Sequence, residues 1–238
     1  MKPDATTKKD EITLLVDAAA NGERDQVSAM LKSSEVMARL KQFDGKLAIT
    51  PLHAAAAKGQ VEILQLLLDS GLPVDAKDDK GQTPLHIAVG ERQREAVSLL
   101  LERKANPDAK SSSTHFSGER ISTGHAELTP LSLAANSGNV DMLKLLLDNG
   151  ANIDRGGSTA TPLYFAAAGG HEDAVKYLLK HGAKVKTWIT YQAIEDSQPK
   201  TAKLLREHFC RREMPQPIGI ASLDRATYDL RKMAGCVR

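Results

Sequence analysis

Along the chain, apolar residues gather in pairs of short runs separated by polar turns. The first run of each pair is alanine-rich: "TPLHAAAAKG" begins at Thr50, "TPLHIAVGER" at Thr83, "TPLSLAANSG" at Thr129 and "TPLYFAAAGG" at Thr161. The second is leucine-rich, at Leu66–Leu68, Leu99–Leu101, Leu145–Leu147 and, as Tyr-Leu-Leu, Tyr177–Leu179. Counted from each Thr, alanine recurs at the fifth position as Ala55, Ala88, Ala134 and Ala166. Glycine recurs at the ninth (Gly59, Gly138, Gly170) and the twenty-first (Gly71, Gly150, Gly182), with Arg92 and Lys104 as the exceptions. Fixed offsets of this kind predict a repeat built from two short helices.

Each offset has a physical role. Thr is expected to cap the first helix, and Pro after it has a preset φ and no N–H to leave unsatisfied. The two glycines can take the left-handed conformation that ends a helix. Alanines let neighbouring first helices approach closely, and the leucine runs are expected to fill the layer between helices. "VDAKDDKGQ" (Val74–Gln82) and "IDRGGSTA" (Ile153–Ala160) carry the Asp, Gly and Ser that tight turns need. Such a unit cannot bury its apolar face alone, so stability comes from stacking.

These motifs resemble ankyrin repeats, whose signature is Thr-Pro-Leu-His-x-Ala with a period near 33 residues. The resemblance implies an all-α ankyrin-repeat solenoid of about six helix–turn–helix units with hairpin fingers. Its repeats lie near 13–49, 50–82, 83–128, 129–160, 161–186 and 187–209. Thr13 opens the first unit, with Ala18 and Gly22 in register. Thr187 opens a degenerate last one, in which Asp196 and His208 replace the glycines and Pro199 stands where the second helix begins. The expected organisation is a flexible N-terminus (1–10), one ankyrin repeat domain (11–209) and a basic C-terminal tail (210–238).

Composition narrows the function classes. Charged residues are 26% and hydrophobic residues 41% of the 238, ordinary values for a globular protein. The net charge is only +2, but from Pro199 onward nine Lys/Arg face four Asp/Glu. A basic tail on a near-neutral body with 4% aromatics disfavours nucleic acid as a partner. No apolar run has the ~20 residues of a membrane span, and nothing after the first lysines reads as a secretory signal. Cys210 and Cys236 are the only cysteines and fall near the end, so a reducing, cytoplasmic setting is expected.

The anomaly is the 46-residue interval between Thr83 and Thr129, 13 residues beyond the period. The 13 extra residues fall between Asn106 and Thr129, in a hairpin between two repeats that contains "SSSTHFSGERISTGH" (Ser111–His125). One reading is a binding finger that presents Phe116 and Arg120 from a rigid scaffold. The other is a spacer, since each doubling of loop length costs only about 0.6 kcal/mol. His115 and His125 have no cysteine and no carboxylate pair near them, which argues against metal or catalysis. "EHFC" (Glu207–Cys210) offers too few ligands for a closed metal site. An enzyme using the inserted loop is therefore the least favoured reading; no catalytic, cofactor or metal residue is assigned.

What the resemblance implies about contacts can be placed by position. Residues seven and eight after each Thr, with the hairpin tips, line the family's concave face. Candidate partner-binding residues are Lys58, Asp79, Lys80, Glu91, Phe116, Arg120, Asn136, Ser137, Ser158 and Glu195. His53 and His86 belong to the repeat signature, where the histidine bonds turn backbone and hydroxyl groups; Ser132 and Tyr164 replace it later. In the tail, Leu223, Ala226, Leu230 and Met233 predict one face of a short helix that either covers the last repeat or binds elsewhere. The expectation is a monomeric scaffold or adaptor that binds another protein through the concave face and an extended finger at about 107–128. The alternative is a regulatory or host-directed adaptor acting through its tail.

Overall fold

The computed structural model describes residues 10–41, 50–113, 126–156, 161–185 and 198–212, among which lie twelve helices and one two-stranded hairpin. They group into two compact units, Met1–Pro130 and Leu131–Arg238.

The first unit holds α1 (Glu11–Asn21), α2 (Arg24–Leu31), α3 (Ser34–Lys41), α4 (Pro51–Ala57), α5 (Val61–Asp69), α6 (Pro84–Gly90) and α7 (Arg94–Glu102). Strands β1 (Ser111–Ser113) and β2 (Ala126–Leu128) follow. Thr50 and Thr83 are extended, at ψ 163° and 164°, because the proline after each excludes the helical region. Pro51 and Pro84 then start the helices. First helices stack in the order α1, α4, α6, and second helices in the order α2, α5, α7.

In the second unit, α8 (Pro130–Asn136) and α9 (Val140–Asp148) precede α10 (Pro162–Ala168) and α11 (Glu172–Lys180). A further helix, α12 (Pro199–Arg212), packs on α10 and α11. Thr201 Oγ1 on α12 donates to Ala167 O at 3.0 Å. Five complete helix pairs are thus described. The first helix expected after Thr187 lies outside the described residues, as does the tail helix expected around Leu223–Met233.

The repeat register fixes the core. Leu67, Leu100, Leu146 and Leu178, all seventeen places after their Thr, are 0% exposed, as are the fifth-place Ala55, Ala88, Ala134 and Ala166. Burying each leucine contributes about 1.5–3 kcal/mol. The leucine runs do not fill the layer evenly, because helical spacing turns their flanks away; Leu66, Leu68, Leu145 and Leu147 are only half-buried.

Two capping expectations need correction, and two further features depart from the repeat pattern. Thr13 does not cap α1, which begins at Glu11 after Asp10. Leu14 stands where the other repeats have proline, and its free N–H bonds Asp10 O at 3.0 Å, extending the helix backward. Thr50 does not cap its helix through its hydroxyl, which goes to His53 Nδ1 at 2.7 Å. The first repeat carries a third helix, α3, where others have only a turn; it buries Val36 and Leu40 and packs on α1 and α2. The last helix runs past 209 to Arg212, because His208 stands in place of the glycine that would stop it.

The two glycine exceptions are real left-handed residues. Arg92 has φ 59° and Lys104 φ 66°, the conformation their glycine counterparts take. A side chain there costs about 1–2 kcal/mol. Lys104→Gly should therefore raise the urea-unfolding free energy by about 1 kcal/mol. An unchanged or lower midpoint would show that the strain is absent.

Candidate functional site

Lys58 and Glu91 occupy the same place, just past the C-termini of α4 and α6. Each sits at a helix end (φ −97°, ψ 0° and φ −85°, ψ 4°) ahead of a left-handed residue, Gly59 or Arg92. Both are exposed, as is Gly90, while Ala57 is half-buried. Stacking of α4 on α6 therefore sets a lysine and a glutamate in register over a floor of small residues.

The hairpin between α5 and α6 is held by Asp78, which is buried. Its Oδ1 accepts from Lys80 N at 2.9 Å and Gln82 N at 2.7 Å. Its backbone N–H donates to Gln82 O at 2.9 Å. This closure leaves Asp79 and Lys80 exposed at the tip. Neighbouring hairpins are tied by a carboxylate: Asp75 accepts from Asn106 N at 3.0 Å in the first unit, and Asp154 from Lys184 N at 3.0 Å in the second.

The signature histidines tie each first helix to the following hairpin. His53 Nε2 donates to Gln82 O at 2.9 Å; a carbonyl only accepts, so the proton is on Nε2. His86 repeats the arrangement: Nδ1 accepts from Thr83 N at 3.1 Å and from the Thr83 hydroxyl at 2.9 Å, and Nε2 donates to Leu128 O at 3.1 Å. Burial pushes the His86 pKa down to about 4, only partly opposed by its bonds to backbone; His53 shifts down for the same reason. A proton added at Nδ1 would displace the donors already there. Both rings are thus neutral structural ties, as the signature implies.

In the second unit, Asn136 and Ser137 are half-buried. Ser137 Oγ donates to Ala134 O at 3.1 Å, and Asn136 O accepts from His171 Nε2 at 2.7 Å. Ser137 is therefore engaged within its own helix end. Of the other expected contacts, Phe116, Arg120, Ser158 and Glu195 lie outside the described residues, together with His115 and His125. No group of three His, Cys, Asp or Glu side chains suited to a metal occurs among the described residues.

A set of inter-repeat ties was not anticipated. Gln60 Nε2 donates to Ala20 O at 3.3 Å, Gln93 Nε2 to Ala57 O at 3.2 Å, and His171 plays the same part toward Asn136 O. All three stand ten places after their Thr, so the recurrence of glutamine at Gln60 and Gln93 was the available signal. They close carbonyls at the ends of first helices, Ala20 in α1, Ala57 in α4 and Asn136 in α8.

Stacked helix pairs with exposed, variable residues at helix ends and hairpin tips define a repeat protein that works by its surface. The chain belongs to the ankyrin-repeat family: the model for ankyrin repeats (3 copies) matches residues 15–111 and 115–187. Among curated proteins it is similar to the probable E3 ubiquitin-protein ligase XBOS32 of Oryza sativa subsp. japonica, 41% identical over 69 residues. It is also similar to the E3 ubiquitin-protein ligase XBAT32 of Arabidopsis thaliana, 36% identical over 69 residues. Each match covers 29% of this chain, and the matched stretch spans only 14% and 13% of those proteins. The repeats indicate a protein-interaction module, and no helix among the described residues is long and apolar enough to cross a membrane.

Proposed function

We propose that the chain is a non-enzymatic scaffold or adaptor, monomeric and cytoplasmic, that binds one partner protein. Contact is made through the concave face formed by first-helix ends and hairpin tips, extended by the finger at about 107–128. The observation that carries the reading is the pair Lys58 and Glu91, exposed in register at the ends of α4 and α6, with the Ala57 carbonyl beside Lys58 already closed by Gln93. Their side chains serve neither the cap nor the core, and Asp79 and Lys80 add two more charges at the adjoining tip. The likeness to the plant ligases supports the repeat surface, and we assign none of their chemistry to this chain.

The reading predicts that Lys58→Glu, Lys80→Glu and Glu91→Lys, combined, leave stability within about 1 kcal/mol of wild type, as surface changes do. Capture of the partner should fall by at least tenfold, consistent with two or more lost contacts of about 1 kcal/mol. Deleting residues 114–125 tests the finger separately. Normal capture by the triple variant would end the proposal for this face.

A further inference from the structure

Two residues at the exposed end of α6 depart from the repeat in opposite directions. Gly90 is a glycine where the other repeats have Ala20, Ala57, Asn136 and Ala168, seven places after their Thr. It is helical and exposed, and a Cβ built on it meets nothing within 4 Å among the described residues. Neither conformation nor packing calls for glycine there, and glycine weakens a helix relative to alanine. Two residues on, Arg92 stands where the other repeats have Gly22, Gly59, Gly138 and Gly170. All five are left-handed, Arg92 at φ 59°. Arg92 N donates to Val89 O at 3.1 Å, and Gln93 N to Ala88 O at 2.8 Å. Gly59 N and Gln60 N make the same two bonds to Ala56 O and Ala55 O, so the turn forms without a side chain. The arginine is exposed and keeps a strained backbone at a cost in stability.

Local rules broken without a gain to the fold mark functional positions. Glycine bares a helix end to close approach by another backbone. A guanidinium presents a fork of donors that matches a carboxylate. Lys58, exposed at the same end of α4, which stacks on α6, adds a second base. We propose that Gly90–Arg92 is a contact site for an acidic peptide segment of the partner, whose backbone passes over Gly90 and whose carboxylate is held by Arg92 with Lys58 beside it. Glu91 repels a carboxylate that arrives out of register. This rests on the reading of this face as the partner's, and it adds Arg92 to the contacts.

Titration of the full chain with a blocked peptide of alternating glycine and glutamate tests this, followed by the amide signals of residues 90–92. Wild type should bind the peptide, and Arg92→Gly should weaken binding about tenfold while raising the urea midpoint. Gly90→Ala should also raise the midpoint and weaken binding, since its methyl group stands in the peptide's way. Lys104→Gly relieves the same strain at the far end of α7 and should raise the midpoint with binding unchanged. Binding lost as stability rises does not come from misfolding. Wild-type binding by Arg92→Gly, or a lowered midpoint, overturns the proposal. Equal binding of a glutamine version of the peptide, or binding of a phosphoserine version alone, overturns it too. Partner capture keeps the two readings apart. Normal capture by the triple variant, with the peptide still lost by Arg92→Gly, ends the concave-face reading and leaves the acid-binding site standing. Peptide binding untouched in Arg92→Gly removes the site, and the concave face is then judged by the triple variant alone.

Discussion

Taking the protein from pH 7 to pH 4 should remove about 3 kcal/mol of stability through His86 alone. The folded protein holds this imidazole neutral by burial, with its pKa near 4, against 6.5 for the free side chain. Between those values the unfolded chain takes up a proton that the folded chain refuses. The contribution is therefore complete above pH 6.5, declines as the pH falls through the window, and is gone below about 4. His53, shifted in the same direction, steepens the decline. Carboxylates titrate in the lower part of the range, so the wild-type slope by itself is ambiguous. The comparison with His86→Gln isolates the effect, since glutamine can keep the donor toward Leu128 but cannot take the proton. Urea unfolding of both at pH 7, 6, 5 and 4 should show the gap between them closing by about 3 kcal/mol. Parallel curves would mean that His86 protonates without cost and that its buried, neutral geometry is wrong.

The repeat was legible because each of its marks answers a local demand. Thr-Pro at Thr50 and Thr83, and Gly59 and Gly71 at helix ends, are set by backbone conformations that few residues tolerate, and the pattern recurs at fixed distances. Even its violations were visible: Arg92 and Lys104 broke the glycine pattern and proved to hold the same left-handed conformation. The ties between repeats were not legible. Gln60, Gln93 and His171 reach carbonyls 40, 36 and 35 residues away, and nothing in their own surroundings requires a donor. Helix α3 escaped because it has no sister copy to compare with, and α1 began early because one proline is missing. The candidate face was legible only as positions. That Lys58 and Glu91 are exposed while Ser137 is half-buried and bonds Ala134 O depends on how each helix end is closed.

Gly59→Ala should cost about 2–3 kcal/mol, more than the helix-end conformation explains. Gly59 has φ 65° and Gly71 φ 87°, so both hold a conformation in which a side chain costs about 1–2 kcal/mol. Their surroundings differ. A Cβ built on Gly71 meets nothing within 4 Å, whereas one on Gly59 would run into Oε1 of Gln93. Gln93 is held there because its amide donates to Ala57 O at 3.2 Å, across from the next repeat. The added methyl must push the carboxamide away and break that bond, exposing a helix-end carbonyl for about 1 kcal/mol more. Gly71→Ala thus measures the backbone cost, and the excess at Gly59 measures the tie between repeats. With Gln93→Ala already present the excess should vanish, leaving Gly59→Ala no worse than Gly71→Ala in urea unfolding. An excess that persists without Gln93 would place the obstruction elsewhere. The ninth-place glycine then has two functions, ending its own helix and leaving room for the glutamine of the next repeat. The second function explains why Gly22 is also found here, with a Cβ placed only 2.8 Å from Gln60 Oε1.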